Sequence, residues 1–295
     1  MSGEIIAIAA MVFFSMAQIV ARRGSYRSSE SYSVTLASVI IGLVLFLIIL
    51  PLTDGFESLA SLSLRNVIIL SMAGIIHYVL MRYCMFTSIR LIGANTAVSI
   101  NKLSIPLAVT FGIIFLNEEA TFQIVVGGLA ITIGAIIIGT TRINLKRISD
   151  SDTIKGTLFA LLASILIAIS GSLVRVAMKE TVSPFTGAFV SYSAAFIVVC
   201  AILAISKHQR YQLLNQNKHS LALLGVVGLF LLIGQVLRYT ALIDIPLSVV
   251  QPILGSGVLF VFIVSLLINR KIDVFNIWIF SSILLLVTGI VLVFL

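Results

Sequence analysis

Lys102 lies roughly three residues from the centre of an unbroken apolar run, about 5 Å by helical rise. His77 sits almost at the centre of the preceding run, and Arg82 between its centre and its end. An ionisable group in such a run costs several kcal/mol unless it is paired, hydrated or able to reach the run's end. Two more arginines, Arg175 and Arg238, stand within about a turn of their runs' ends, where snorkelling accounts for them. No Asp or Glu occupies the middle of any run, since Glu4, Glu118, Glu119 and Asp244 all stand at ends. Lys102 therefore has no carboxylate partner in the sequence. Either it is neutral or a bound anion supplies its counter-charge. The chemistry this predicts is electrostatic capture of a carboxylate or phosphate. Paired carboxylates, metal-spaced histidines and a nucleophile–base set are missing from the runs, so no catalytic residue, metal or cofactor is expected.

Neutral polar residues at helical spacing surround these cations. Asn95, Ser99, Lys102 and Pro106 step by three or four residues and share a face, with Asn101 at its border. One run earlier, Ser71, Tyr78 and Arg82 form a polar stripe beside His77. Gln18, Gln235 and Gln251 add hydrogen-bonding groups from three other runs. Side chains of this kind find no partners in lipid, so they face the interior. The expected substrate-binding set is Lys102, Arg82, His77, Asn101, Ser99, Tyr78, Gln18, Gln235 and Gln251. For the glutamines, interhelical contacts worth about 1 kcal/mol each are an equal alternative. Pro106 and Pro252 weaken backbone hydrogen bonding, and Gly255 and Gly257 flank the second of them, which makes these four the hinge candidates.

The elements that position these residues follow from composition. Of 295 residues 60% are hydrophobic and 10% charged, against about a quarter charged in ordinary globular proteins. That excess exceeds what one soluble core can absorb and excludes a nucleic-acid-binding module. A bilayer core needs about 20 apolar residues per helix, and the chain divides into ten such runs: 3–21, 34–50, 66–87, 95–116, 121–140, 155–177, 184–206, 219–241, 247–268 and 274–294. The fold class is all-α, a polytopic membrane protein of ten transmembrane helices. Span 1 is not read as a cleaved signal peptide, because Arg22, Arg23 and Arg27 follow its apolar run. Cys84 and Cys200 sit inside apolar runs and read as buried packing residues. Gly127, Gly128, Gly134 and Gly139 suit close helix packing, and Glu118 and Glu119 suit the N-terminal dipole of span 5. Trp278 suits interfacial anchoring.

A shift of 153 residues lays the first five spans on the last five. Gly3 falls on Gly156, Ala7 on Ala160, Arg22 on Arg175, Ser38 on Ser191 and Phe86 on Tyr239, and the loops superpose as well. A half with five crossings traverses the membrane a net once, so its copy must be inserted upside down. The repeats are 1–140 and 155–295, joined by a cytoplasmic linker at 141–154. They predict two inverted five-helix halves around a central cavity.

The end of each half resembles the signature of the drug/metabolite transporter superfamily, EamA type. An aromatic-x-Ala-Leu element is followed about 32 residues later by an acidic Leu-Gly-Glu-like turn and then by a glycine-containing helix. Phe86-Thr-Ser-Ile89 and Leu116-Asn-Glu118-Glu119 carry it in the first half, with Gly127, Gly128 and Gly134 following. Tyr239-Thr-Ala-Leu242 carries it in the second, where Lys271 replaces the acidic residue. The resemblance implies a ten-helix carrier whose cavity is lined by spans 1, 3, 4, 6, 8 and 9, with spans 5 and 10 peripheral.

Basic residues orient the chain. Arg22, Arg23, Arg27, Arg90, Arg142, Lys146, Arg147, Lys155, Lys207, Arg210, Lys218, Arg270 and Lys271 fall on one side, and Arg65 and Lys179 on the other. The positive-inside rule puts the larger set in the cytoplasm and both termini outside, where the family resemblance implies cytoplasmic termini. The expectation is an integral protein of the cell membrane, a monomer or homodimer, that moves a small carboxylate- or phosphate-bearing metabolite by alternating access. Its partners are that substrate, the bilayer and an unnamed coupling ion or counter-substrate, with no nucleic acid. An exporter or flippase of an amphipathic or lipid-linked compound is the alternative; a non-transporting subunit and an intramembrane enzyme rank behind it.

Overall fold

A computed structural model of the chain describes residues 2–23, 31–52, 55–119, 121–140, 150–180, 182–207, 211, 218–268 and 277–295. Among them every regular element is helical. Span 1 is α1 (Gly3–Arg23) and span 2 is α2 (Ser31–Ile49), which runs into a 3-10 turn at Leu50–Leu52 and a short α3 (Gly55–Ala60). Span 3 is one long rod in three parts: α4 (Leu64–Gly74), a π-helical stretch (Ile75–Met81) and α5 (Arg82–Ile92). Span 4 is broken into α6 (Ala94–Asn101) and α7 (Ser104–Leu116). Spans 5 to 8 are α8 (Phe122–Thr140), α9 (Asp150–Met178), α10 (Pro184–Ile205) and α11 (Lys218–Asp244). Span 9 is broken like span 4, into α12 (Leu247–Gly255) and α13 (Gly257–Ile268), and span 10 is α14 (Ile277–Phe294). Seven stretches are long and apolar enough to cross a membrane, and shorter apolar helices at Ser38–Ile49, Phe122–Ile137 and Phe280–Phe294 bring the described spans to ten.

Local chemistry sets several of these boundaries. The Ser63 hydroxyl accepts from the Asn66 N–H and starts α4. Gly93, at φ +81°, turns the chain between spans 3 and 4 in a backbone region that favours glycine. Asn117, in the left-handed region at φ 51°, closes α7. Pro184 starts α10, where its missing N–H costs nothing.

The main helix pairings recur when the halves are exchanged. Span 1 lies along span 8 as span 6 lies along span 3, and span 9 meets span 1 as span 4 meets span 6. Spans 5 and 10 lie against each other, with the open faces of Gly127 and Gly134 set on the carbonyls of Gly289 and Ser282. Repeat-related glycines make repeat-related contacts, since Gly3 abuts Ile245 and Gly156 abuts Ile92. These two contacts sit at opposite ends of α9. Its start carries Gly156, and near its end Arg175 bonds the carbonyls of Leu242 and Ile243, beside Ile245. The nineteen residues between correspond to about 28 Å of helix. Equivalent contacts therefore lie at opposite membrane faces, which is the inverted arrangement.

Four expectations are corrected. Helix α9 begins at Asp150, inside the stretch assigned to the linker; at 29 residues it is about 43 Å long and outruns a bilayer core of about 30 Å. The rest of that linker, 141–149, lies outside the described residues. Cys200 is exposed, because its position on α10 faces outward, whereas Cys84 is buried as expected. Glu118 does not cap span 5. Its carboxylate accepts from the backbone N–H groups of Leu247 and Ser248 at 2.8 and 3.0 Å, so it caps α12 of the opposite half. Arg175 does not snorkel either. It is 7% exposed, lies 3.4 Å from the Glu118 carboxylate and donates to the last carbonyls of α11.

Candidate functional site

Two breaks in opposite halves meet at the centre of the molecule. Pro106 has no N–H for the carbonyl of Lys102, four residues back, so that carbonyl takes the N–H of Ile105 instead, at 3.0 Å. The helix consequently pauses at Lys102–Leu103. In span 9 the pause falls at Ser256, between Gly255 and Gly257, where the Ser256 hydroxyl donates to the Ile253 carbonyl at 2.6 Å. Lys102 and Gly255 are repeat equivalents, 153 residues apart, and the Lys102 ammonium donates to the Gly255 carbonyl at 3.4 Å. The Ile105 side chain fills the space over the Gly255 Cα that a Cβ would occupy. Near the same crossing, Gln251 Nε2 lies 3.5 Å from the Ser104 hydroxyl.

Around Lys102 the hydrogen bonding is thin. An ammonium has three donors, and one contact to a described residue is formed. The amide nitrogen of Asn101 is buried without a partner among the described residues. Ser99 is buried on the same element. Asn95 lies in α6, and its side chain falls outside the described residues.

A second polar cluster lies between spans 3 and 8, backed by spans 2, 6 and 7. The π-helical stretch of span 3 carries His77 and Tyr78 and hands on to Arg82; an i→i+5 stretch of this kind often marks a functional position. Arg82 donates to the Ser38 hydroxyl at 2.8 Å, and its guanidinium lies 5.5 Å from the centre of the Tyr78 ring. Tyr78 in turn lies 4.4 Å from the Tyr192 ring, centre to centre. The Tyr239 hydroxyl donates to Ser191 at 2.8 Å, and Ser191 donates to the Leu70 carbonyl at 2.8 Å.

The bonds around His77 run in one direction. Arg238 Nη1 donates to Gln235 Oε1 at 3.4 Å, so the other end of that amide is the NH2 group, 3.2 Å from His77 Nε2. An amide NH2 only donates, so His77 Nε2 accepts and the imidazole proton sits on Nδ1. Nδ1 faces the Ser170 hydroxyl at 3.1 Å, and that hydroxyl donates onward to the Ile167 carbonyl at 3.0 Å. Arg238, Gln235, His77 and Ser170 thus form a single chain crossing spans 8, 3 and 6.

The residues expected to form one wall therefore fall into two groups. Lys102, Asn101, Ser99, Gln251 and the four hinge candidates belong to the crossing of spans 4 and 9. Arg82, His77, Tyr78 and Gln235 belong to the cluster of spans 3 and 8. Helix α9 touches both, through Ser164 on the Ile100 carbonyl and Ser170 on His77. Gln18 joins neither and is exposed. Arg238 departs from its expected place: it is 3% exposed and buried in the second cluster, because its face of α11 points inward and leaves no lipid route for snorkelling. The three-residue spacing from Gln235, which sets both on one helix face, was the available signal.

Comparison with known proteins adds the family. The EamA-like transporter family matches residues 1–140 and 154–295, the two repeats. One of 29 matching solved chains, a crystal structure described only as that of a protein, has a TM-score of 0.79. It covers 98% of this chain and 95% of its own at 14% identity, which is a likeness of fold. No curated protein matches the sequence.

Proposed function

Because the chain belongs to the EamA-like transporter family, we propose that it is a secondary carrier of a small carboxylate- or phosphate-bearing metabolite, anionic or zwitterionic, working by alternating access. One observation carries the anionic part of this reading. The Lys102 ammonium, at the crossing of two broken helices, has a peptide carbonyl for a partner where a half-buried cation calls for an anion. An incoming carboxylate or phosphate replaces that carbonyl with a full charge. The pauses at Lys102–Leu103 and Ser256 let the halves of spans 4 and 9 tilt without breaking a continuous hydrogen-bond ladder. The charge bias of the loops supports a cell-membrane protein with both termini outside.

The test is a thermal-shift screen of the purified chain against anionic, zwitterionic and cationic metabolites, followed by flux in reconstituted vesicles. A ligand that binds only the folded state raises its apparent stability. The expected hits are anions or zwitterions, and Lys102→Ala loses both shift and flux. Hits confined to cations, or wild-type flux in Lys102→Ala, overturn the reading.

A further inference from the structure

Arg238 is a buried guanidinium that the described residues leave half unused. It is 3% exposed, and its Nε and Nη2 have no hydrogen-bond partner among the described residues. Only Nη1 is engaged, at 3.4 Å with Gln235. Arg175 Nε also lacks a hydrogen bond, but it stands 3.4 Å from the Glu118 carboxylate and its Nη1 donates to two carbonyls, whereas Arg238 has no carboxylate beside it among the described residues. Burying a cation with open donors is costly. Nε–H and the adjacent Nη2–H point the same way, along one edge of the guanidinium. Two parallel donors on one edge match the two oxygens of a carboxylate.

That edge is buried beside Gly171 of α9 and Leu247. At Gly171 of α9 a Cβ would stand 3.1 Å from Nη2 and 2.9 Å from a Leu247 methyl, so the absent side chain leaves the guanidinium its room. The opposite end is held by the directed chain through Gln235, His77 and Ser170. The unused edge is thus fixed in aim, and it lies about one turn along α11 from the residue that bonds the midplane His77.

Resting on the carrier reading above, we propose that the Nε/Nη2 edge of Arg238 clamps the carboxylate of the transported molecule, with Gln235 and His77 as positioning residues. Lys102 then meets a different part of the cargo or a different stage of its passage. The two coplanar oxygens of a carboxylate match that edge, while Arg82, the other cation of the cluster, is engaged by Ser38 and the Tyr78 ring, so the group held is a carboxylate.

The full-length protein in vesicles is treated with phenylglyoxal, which modifies arginine, and each site is quantified by mass spectrometry. Arg238 is expected to react as the carrier cycles, while Arg175, closed by its own partners, stays unmodified. Benzoate or succinate at about ten times its dissociation constant slows the Arg238 reaction about tenfold, and inorganic phosphate does not. An unreactive Arg238, or one that neither carboxylate protects, overturns the clamp, and protection by phosphate alone overturns its carboxylate assignment. Arg238→Lys keeps the charge and loses the paired edge, so it should abolish the benzoate- or succinate-induced thermal shift; an unchanged shift contradicts the proposal. The two readings fail separately. Protection at Arg238 without any solute flux defeats the carrier and leaves the clamp, whereas full flux in Arg238→Lys defeats the clamp and leaves the carrier.

Discussion

Arg175, Arg238 and Lys102 are all basic residues inside apolar spans, yet their surroundings assign them different work. Arg175 and Glu118 are an ion pair 3.4 Å apart: the carboxylate caps α12 and accepts from the Ser248 hydroxyl at 2.9 Å, and the guanidinium donates to the end of α11. Removing one member strands the other, so Glu118→Ala should cost about 3–5 kcal/mol, read as a lower melting temperature in detergent. Lys102 holds nothing of that kind. Lys102→Met should change stability by less than about 1 kcal/mol while abolishing flux, and a large loss of stability would make the lysine structural. Depth along a span was readable in the sequence, and it set Lys102 and His77 near the middle of theirs. It failed for Arg175 and Arg238, because distance from a helix end does not tell which face a residue occupies. Snorkelling needs a lipid-facing position, and both arginines face inward.

At the scale of elements, proline and glycine marked the right places. Pro106 points to the pause four residues before it, and Gly255 and Gly257 bracket the other. Pro106→Ala restores a donor for the Lys102 carbonyl, so it should raise amide-exchange protection around Lys102–Ser104 and slow transport. Unchanged protection there would show that the pause has another cause. The π-helical stretch was not legible, since no residue type announces it; spacing counted at the α-helical period grouped Ser71 with Tyr78 and Arg82 and left His77 at the side. Its upstream neighbour Gly74 faces the Ser191 backbone so closely that a Cβ has no room. Gly74→Ala must therefore push spans 3 and 7 apart, with an expected loss of about 1–3 kcal/mol on thermal denaturation. The swap of Glu118 from span 5 to α12 is the same lesson in another form. Sequence proximity named the nearest helix start, and the fold supplied a different one from the other half.

For the whole molecule, the 153-residue shift was the most informative reading, because the family match divides at the same place and the main helix pairings recur on exchanging halves. Which face of the membrane each end occupies rests on loop charge. A C-terminal reporter active only in the cytoplasm should give no signal, and a strong signal would reverse the orientation. The most direct measurement of the central claim is the current produced by vesicles containing the purified chain when an organic anion is added on one side. Movement of an anion inward is expected to give a transient current of negative sign for at least one carboxylate, silent in Lys102→Ala. A current evoked by organic cations instead, and retained in that variant, would contradict a carrier built on buried positive charge.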